Sequence, residues 1–234
     1  MTRRRWIADE FSGDRASLTG DHADHLIRVL RARAGQEFDI VAGPQVRRGR
    51  IVSITPERVE FELDEEIPAA QTLNLTLLLS IIKFDRMEWA IEKCTELGVS
   101  QIIPLIAQRT DTHLAAASAK RLDRWRKIAL QASEQSRRTA PPDISEAVRL
   151  AQAVKTAGLR VVLAESEKLQ SLSAILPEGA EGITVAVGPE GGWTDAELKA
   201  FHDNGWISAS LGQTILRAET AAIAAAAIIG SSQS

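Results

Sequence analysis

From Trp6 to Leu63 apolar and polar residues alternate in short runs, notably Glu37-Phe38-Asp39-Ile40-Val41, Val46 to Ile54 and Arg58 to Leu63, broken at Gly35, Gly43-Pro44 and Pro56. A period of two places every second side chain on one face, so this stretch predicts a small β-rich domain. Asp21 to Arg33 departs from the pattern. Leu26, Val29 and Leu30 fall there at helical spacing behind an Asp-type cap, which predicts a helix. Asp64 to Ala70, acidic and interrupted by Pro68, ends the alternation and marks a boundary between domains 1–68 and 72–234.

Beyond that boundary the rhythm changes. Leu73 to Ile82 is almost uniformly apolar, as a strand buried on both faces would be, and Arg86 to Leu97 follows as an amphipathic helix ended by Gly98. Gln101 to Leu105 predicts a strand, and Lys120 to Arg137 a long helix stopped before Pro141-Pro142. The remainder predicts helix 144–155, strand 160–164, strand 183–187, helix 194–203, strand 207–211 and helix 217–229. Strands alternating with helices imply an α/β domain. Its sheet should be parallel and covered on both faces, with ligand chemistry in the loops at the carboxyl ends of the strands.

Composition narrows the class. With 234 residues, 44% hydrophobic and 25% charged, the chain is of ordinary globular type and long enough for two domains. No run approaches the roughly 18 apolar residues of a membrane span. The basic N-terminus meets Asp9 and Glu10 where a signal peptide needs its apolar core, so a cytoplasmic protein is expected. The single cysteine, Cys94, forms no internal disulfide and sits in a helical pattern as a small hydrophobe. Four scattered histidines give no metal site.

A net charge of −3 conceals local asymmetry. Lys120 to Arg138 carries seven basic residues against two acidic ones, whereas 139–234 carries six basic and eleven acidic. Residues 1–50 hold ten arginines and no lysine. Local basic faces of this kind suit a polyanion, although a basic helix is also an ordinary solvated face.

Gly188-Pro189-Glu190-Gly191-Gly192 follows a β-branched strand and precedes Thr194-Asp195-Ala196-Glu197, a capping box. Glycines there permit positive φ and let a ligand lie on bare backbone; a tight turn with no ligand is the alternative. Neither a Lys-Ser or Lys-Thr pair nor a Gly-x-Gly-x-x-Gly pattern is present, which argues against a nucleoside triphosphate. Amide and carbonyl groups suit an adenosine-containing ligand. A second loop, Leu211 to Ala221, brings Arg217 and Glu219 to the mouth of the last helix, where Glu219 also has a plain role as a dipole partner.

These motifs, with Leu211-Gly212 and Ile215-Leu216-Arg217-x-Glu219-Thr220-Ala221, resemble the signature of the RsmE family, bacterial methyltransferases for N3 of a uridine in small-subunit ribosomal RNA. His25 with Val29-Leu30-Arg31 and Gly35, Lys83 to Met87, Thr95 to Val99 with Pro104, and Glu134-Gln135-Ser136 with Arg138 agree in the same order, so the resemblance spans essentially the whole chain. Gln213-Thr214 and Asp111-Thr112-His113 depart from the usual family text. The resemblance implies a SPOUT-type α/β methyltransferase domain with a C-terminal trefoil knot, preceded by a small PUA-like β-barrel domain that binds RNA. It also implies a homodimer that uses S-adenosylmethionine, releases S-adenosylhomocysteine and acts on 16S rRNA within the small ribosomal subunit.

On that basis Val187, Gly188, Glu190, Gly191, Gly192, Leu211, Gly212, Ile215 and Leu216 are assigned to the cofactor. Arg138 and Arg217 are candidates for substrate phosphate or uracil oxygens, and Glu219 or Glu134 for positioning or proton removal. Arg5, Arg28, Arg31, Arg124 and Lys127 are candidate phosphate contacts. Two rivals stay open at this point: an RNA-binding module without catalysis, and a doubly wound enzyme with a phosphate ligand at Gly188 to Gly192.

Overall fold

A computed structural model describes residues 5–68, 73–156, 158–177, 179, 180 and 182–233. The chain divides into two compact units, Met1–Gln71 with Ser133–Ala140, and Thr72–Ala132 with Pro141–Ser234. Residues 69–72, where the sequence boundary was expected, lie outside the described residues.

The first unit holds strands β1 (Arg5–Ile7), β2 (Glu10–Ser12) and β3 (Arg15–Thr19), helix α1 (Gly20–Asp24), and strands β4 (Glu37–Ala42), β5 (Gln45–Thr55) and β6 (Arg58–Ile67). They form one sheet in the order β1-β4-β5-β6-β3-β2, antiparallel except where β1 runs beside β4. The three alternating runs of the sequence are β4, β5 and β6. Their inward residues Ile40, Ile51, Val59 and Phe61 close a core with Trp6, Leu18 and Leu26.

The helix expected over 21–33 is corrected. α1 lasts one turn, gives way to a π turn at His25–Val29 closed by Leu30 N–H on His25 O, and the chain then leaves helix altogether. Asp21 lies in the first turn; the cap position is Thr19. The physical reason lies in burial. Leu26 enters the core, whereas Val29 and Leu30 face solvent, so no apolar face carries the helix beyond the π turn.

The second unit comprises β7 (Leu75–Ser80), α2 (Phe84–Glu96), β8 (Gln101–Ile106), α3 (Thr112–Ala117), α4 (Leu122–Gln135), β9 (Asp143–Ile144), β10 (Val148–Arg149), α5 (Leu150–Ala153), β11 (Leu159–Leu163), α6 (Leu172–Ile175), β12 (Ile183–Val187), α7 (Asp195–Asp203), β13 (Ile207–Ala209) and α8 (Ala218–Ser232), the last residues of α4 falling in the segment that groups with the first unit. Every strand pair is parallel, in the order β10-β8-β7-β12-β11-β13 with β9 against β8. Both faces are buried, which is why the strands read as unbroken apolar runs. Leu75, Leu77, Leu79, Val161, Val185 and Val187 face α2 and α8, while Leu78, Val162 and Ala186 face Phe201 and Trp206.

One expectation fails here. Residues 144–155 are two short edge strands and one turn of helix, because Ile144 pairs with Ile102, Val148 and Arg149 pair with Leu105 and Ile106, and Ile144, Ala153 and Val154 turn inward. The basic helix starts at Leu122, after a 3-10 turn at Ser118–Arg121. The Thr194 capping box is present, with reciprocal hydrogen bonds between Thr194 and Glu197 that open α7. Among the described residues no helix is long and apolar enough to cross a membrane.

Candidate functional site

β12 ends at Val187 and the chain turns at once, Gly192 N–H closing on Pro189 O at 2.8 Å with Gly192 at φ +70°. Two side chains brace this turn. Trp193 lies over Gly188, where a Cβ would meet the indole at 3.1 Å, and Arg109 Nη1 donates to Gly191 O at 2.7 Å. A larger residue at 188 therefore presses on the ring that holds the turn, which must yield by a few tenths of an ångström. β13 ends at Ala209, and the second loop passes through Gly212, at φ +129°, to Arg217 at the N-cap of α8. A φ in that range favours glycine.

The two loops enclose a cavity of about 570 Å³ at the carboxyl ends of β11, β12 and β13. All nine residues assigned to the cofactor line it, and so does Arg217. Small-molecule sites commonly span roughly 300–1,000 Å³ with mostly apolar walls and few polar groups. Ile215 is 74% exposed on this wall, an aliphatic side chain without cover of its own.

The cavity also collects charge that the sequence did not flag. Arg86, Arg109, Lys168, Glu165 and Asp195 line it alongside Glu190, which the motif had already placed there. Arg86 Nη1 donates to Glu190 Oε1 at 2.5 Å, and its Nε lies 3.6 Å from Oε1 of Glu219. Glu219 is buried in the first turn of α8, with Oε2 lacking a hydrogen-bond partner. A signal for Arg86 and Arg109 was absent because each meets its partner loop only across 104 and 82 residues of chain.

Glu134 and Arg138 fall in the segment that groups with the first unit. Glu134 is buried, with Oε1 3.4 Å from the Ile7 amide and 3.5 Å from Nε2 of His22, whose Nδ1 lies 3.1 Å from Asp9. Arg138 is half-buried, and that burial lowers its pKa below the usual arginine value. Arg5 is a correction. It is 5% exposed, its Nη1 donates to the Arg137 carbonyl, and burial lowers its pKa, so it is a structural residue of the first unit and offers no surface to a phosphate. Arg28, Arg31 and Lys127 are exposed, Arg28 beside Asp24 at 3.2 Å and Arg31 at φ +51°. Arg124 is exposed too, but Glu88 takes its guanidinium in a fork of 2.6 and 2.7 Å, a hydrogen-bonded pairing that raises its pKa. Among the described residues no group of three or more His, Cys, Asp or Glu side chains could hold a metal ion.

The carboxyl end of a parallel sheet is where such folds bind small molecules, and the class can be stated: a model of the RNA methyltransferase domain family matches residues 69–230. Two curated relatives are ribosomal RNA small subunit methyltransferase E of Rickettsia conorii, 34% identical over 90% of this chain and 87% of that protein, and of Bacillus subtilis, 31% identical over 91% and 88%. The structure is similar to that of a ribosomal RNA small subunit methyltransferase E from Neisseria gonorrhoeae bound to S-adenosylmethionine, with a TM-score of 0.89 and 29% identity over 99% of this chain and 98% of that one. The chain belongs to the family of ribosomal RNA small subunit methyltransferase E, RsmE.

Proposed function

We propose that this chain transfers the methyl group of S-adenosylmethionine to N3 of a uridine in 16S rRNA, within the small ribosomal subunit, and releases S-adenosylhomocysteine. The observation that carries the reading is the cavity: nine residues picked from two separate loops by their motif line one space. On this reading the second unit is a SPOUT-type domain with a C-terminal trefoil knot, the first is a PUA-like RNA-binding domain, and two copies form a homodimer. All three are what the resemblance of the motifs to the RsmE signature implies.

The residues fit an adenosine-containing ligand. Open backbone at Gly192 and Gly212, where an added Cβ would meet nothing within 4 Å, leaves room for a ligand to approach the chain, and Leu211, Ile215 and Leu216 offer apolar cover. When bound, S-adenosylmethionine supplies a methyl group on a cationic sulfonium. The protein's share is orientation first, since holding two reactants in line removes most of the entropic barrier. Arg217, at the cavity wall, and Arg138 are assigned to stabilise the uracil anion as N3 loses its proton, with Glu219 or Glu134 accepting or steering that proton. N3 lies on the Watson–Crick edge, so the base must be unpaired or flipped out before attack. Arg28, Arg31, Arg124 and Lys127 are assigned to phosphates.

Calorimetric titration of the full chain with S-adenosylmethionine tests the cofactor assignment. Stoichiometric binding is expected, with no comparable heat from ATP. A folded protein that binds ATP and not S-adenosylmethionine would overturn the reading.

A further inference from the structure

Arg86 stands on α2, yet it lines the cavity and faces carboxylates from both loops. Its Nη1 meets Glu190, in the turn after β12, and its Nε faces Glu219, in the first turn of α8. Glu219 is 4% exposed and its Oε2 has no hydrogen-bond partner. Keeping a buried carboxylate so sparsely satisfied is unfavourable, and a chain selected for stability alone would replace it. Departures of this kind concentrate where a protein works.

We propose that Arg86 is a positioning residue for the cofactor: it pins Glu190, and with it the Gly188 to Gly192 turn, in the receiving shape, while Glu219 fixes the guanidinium from behind. The proposal rests on the S-adenosylmethionine reading above. The planar fork is essential to it, because two carboxylates are met through different nitrogens of one rigid group, which a lysine ammonium cannot reproduce. Arg109 braces the same turn, but through the Gly191 carbonyl alone. Arg86 is the side chain that joins the turn to the start of α8, and so to the end of the second loop. Released from the clamp, the turn must be ordered by the ligand itself, which weakens binding. A purely structural role would lower the melting temperature without separating KM from kcat.

The test uses the full chain with R86Q, R86K, E190Q and the R86Q/E190Q double variant. S-adenosylmethionine Kd is measured by calorimetry, KM and kcat with small ribosomal subunits, and amide exchange at Gly191 to Trp193. R86Q and E190Q should each weaken cofactor binding by about tenfold, with KM raised by more than kcat falls, and the double variant should be no worse than either single, as expected of one shared contact. R86K should fall between. E190Q, at an exposed position, keeps the test alive should R86Q, which strands Glu219, fail to fold. Additive losses, or unaltered affinity in E190Q, overturn the clamp. If the wild-type chain binds no S-adenosylmethionine, the cofactor reading falls by itself. Amide exchange still decides the clamp: faster exchange in E190Q supports it and unchanged exchange overturns it.

Discussion

The indole Nε1–H of Trp193 donates to the carbonyl oxygen of Leu163 at 2.9 Å, tying the turn after β12 to the end of the neighbouring strand β11. The same ring covers Gly188. One side chain thus sets both the shape of the turn and its distance from the sheet.

Gly188→Ala should therefore weaken S-adenosylmethionine binding more than it lowers stability, since the new methyl group, 3.1 Å from the indole, displaces the ring locally. Trp193→Phe should do the opposite in proportion. It keeps an aromatic ring but abandons the Leu163 carbonyl, at a cost of about 1 kcal/mol, or roughly 2–4 °C in melting temperature for a chain of this size. Calorimetry and thermal melts on the two variants separate the effects.

Cys94 is fully buried in α2, and that burial pushes its thiol pKa up to about 12, because the thiolate would be stranded in an apolar core. At pH 8 the native protein should resist a disulfide reagent, and labelling should follow the rate of unfolding as denaturant is added. Rapid labelling in native buffer would contradict the buried placement.

RNA affinity should fall with salt, and Arg31→Ala should reduce the slope of log K against log salt by about one. Arg5→Ala should behave differently. Its guanidinium is buried against the Arg137 carbonyl and Asp39, so its loss should lower the melting temperature. Any change in RNA affinity should appear only in proportion to unfolding. Binding and melting curves of both variants at several salt concentrations check the contrast.

Arg138→Ala should leave the S-adenosylmethionine Kd unchanged and reduce methyl transfer by about a hundredfold, the scale of removing one stabilising donor. Wild-type turnover in this variant would take Arg138 out of the chemistry.

Much of this molecule was legible along the chain. Parallel strands buried on two faces write themselves as apolar runs, so 183–187 coincides with β12, and the reciprocal needs of Thr194 and Glu197 announce the start of α7. The two loops that line the cavity were legible because each is contiguous in the sequence. Arg86 and Arg109 were not, since a lone arginine on an amphipathic helix or after a strand looks like a solvated side chain until the fold brings its partner near. Two-residue strands such as β9 and β10 are too short to show a period, so residues 144–155 read as one helix. Arg5 misled for a simpler reason: counting charges along a chain carries no information about burial.

The central claim is methyl transfer to one uridine. Small ribosomal subunits from a strain lacking this activity should be incubated with the protein and S-adenosylmethionine carrying a labelled methyl group, and the modified nucleotide mapped. The account predicts label at N3 of a single uridine in 16S rRNA; RNA that stays unlabelled, or label on another atom or base, would contradict it.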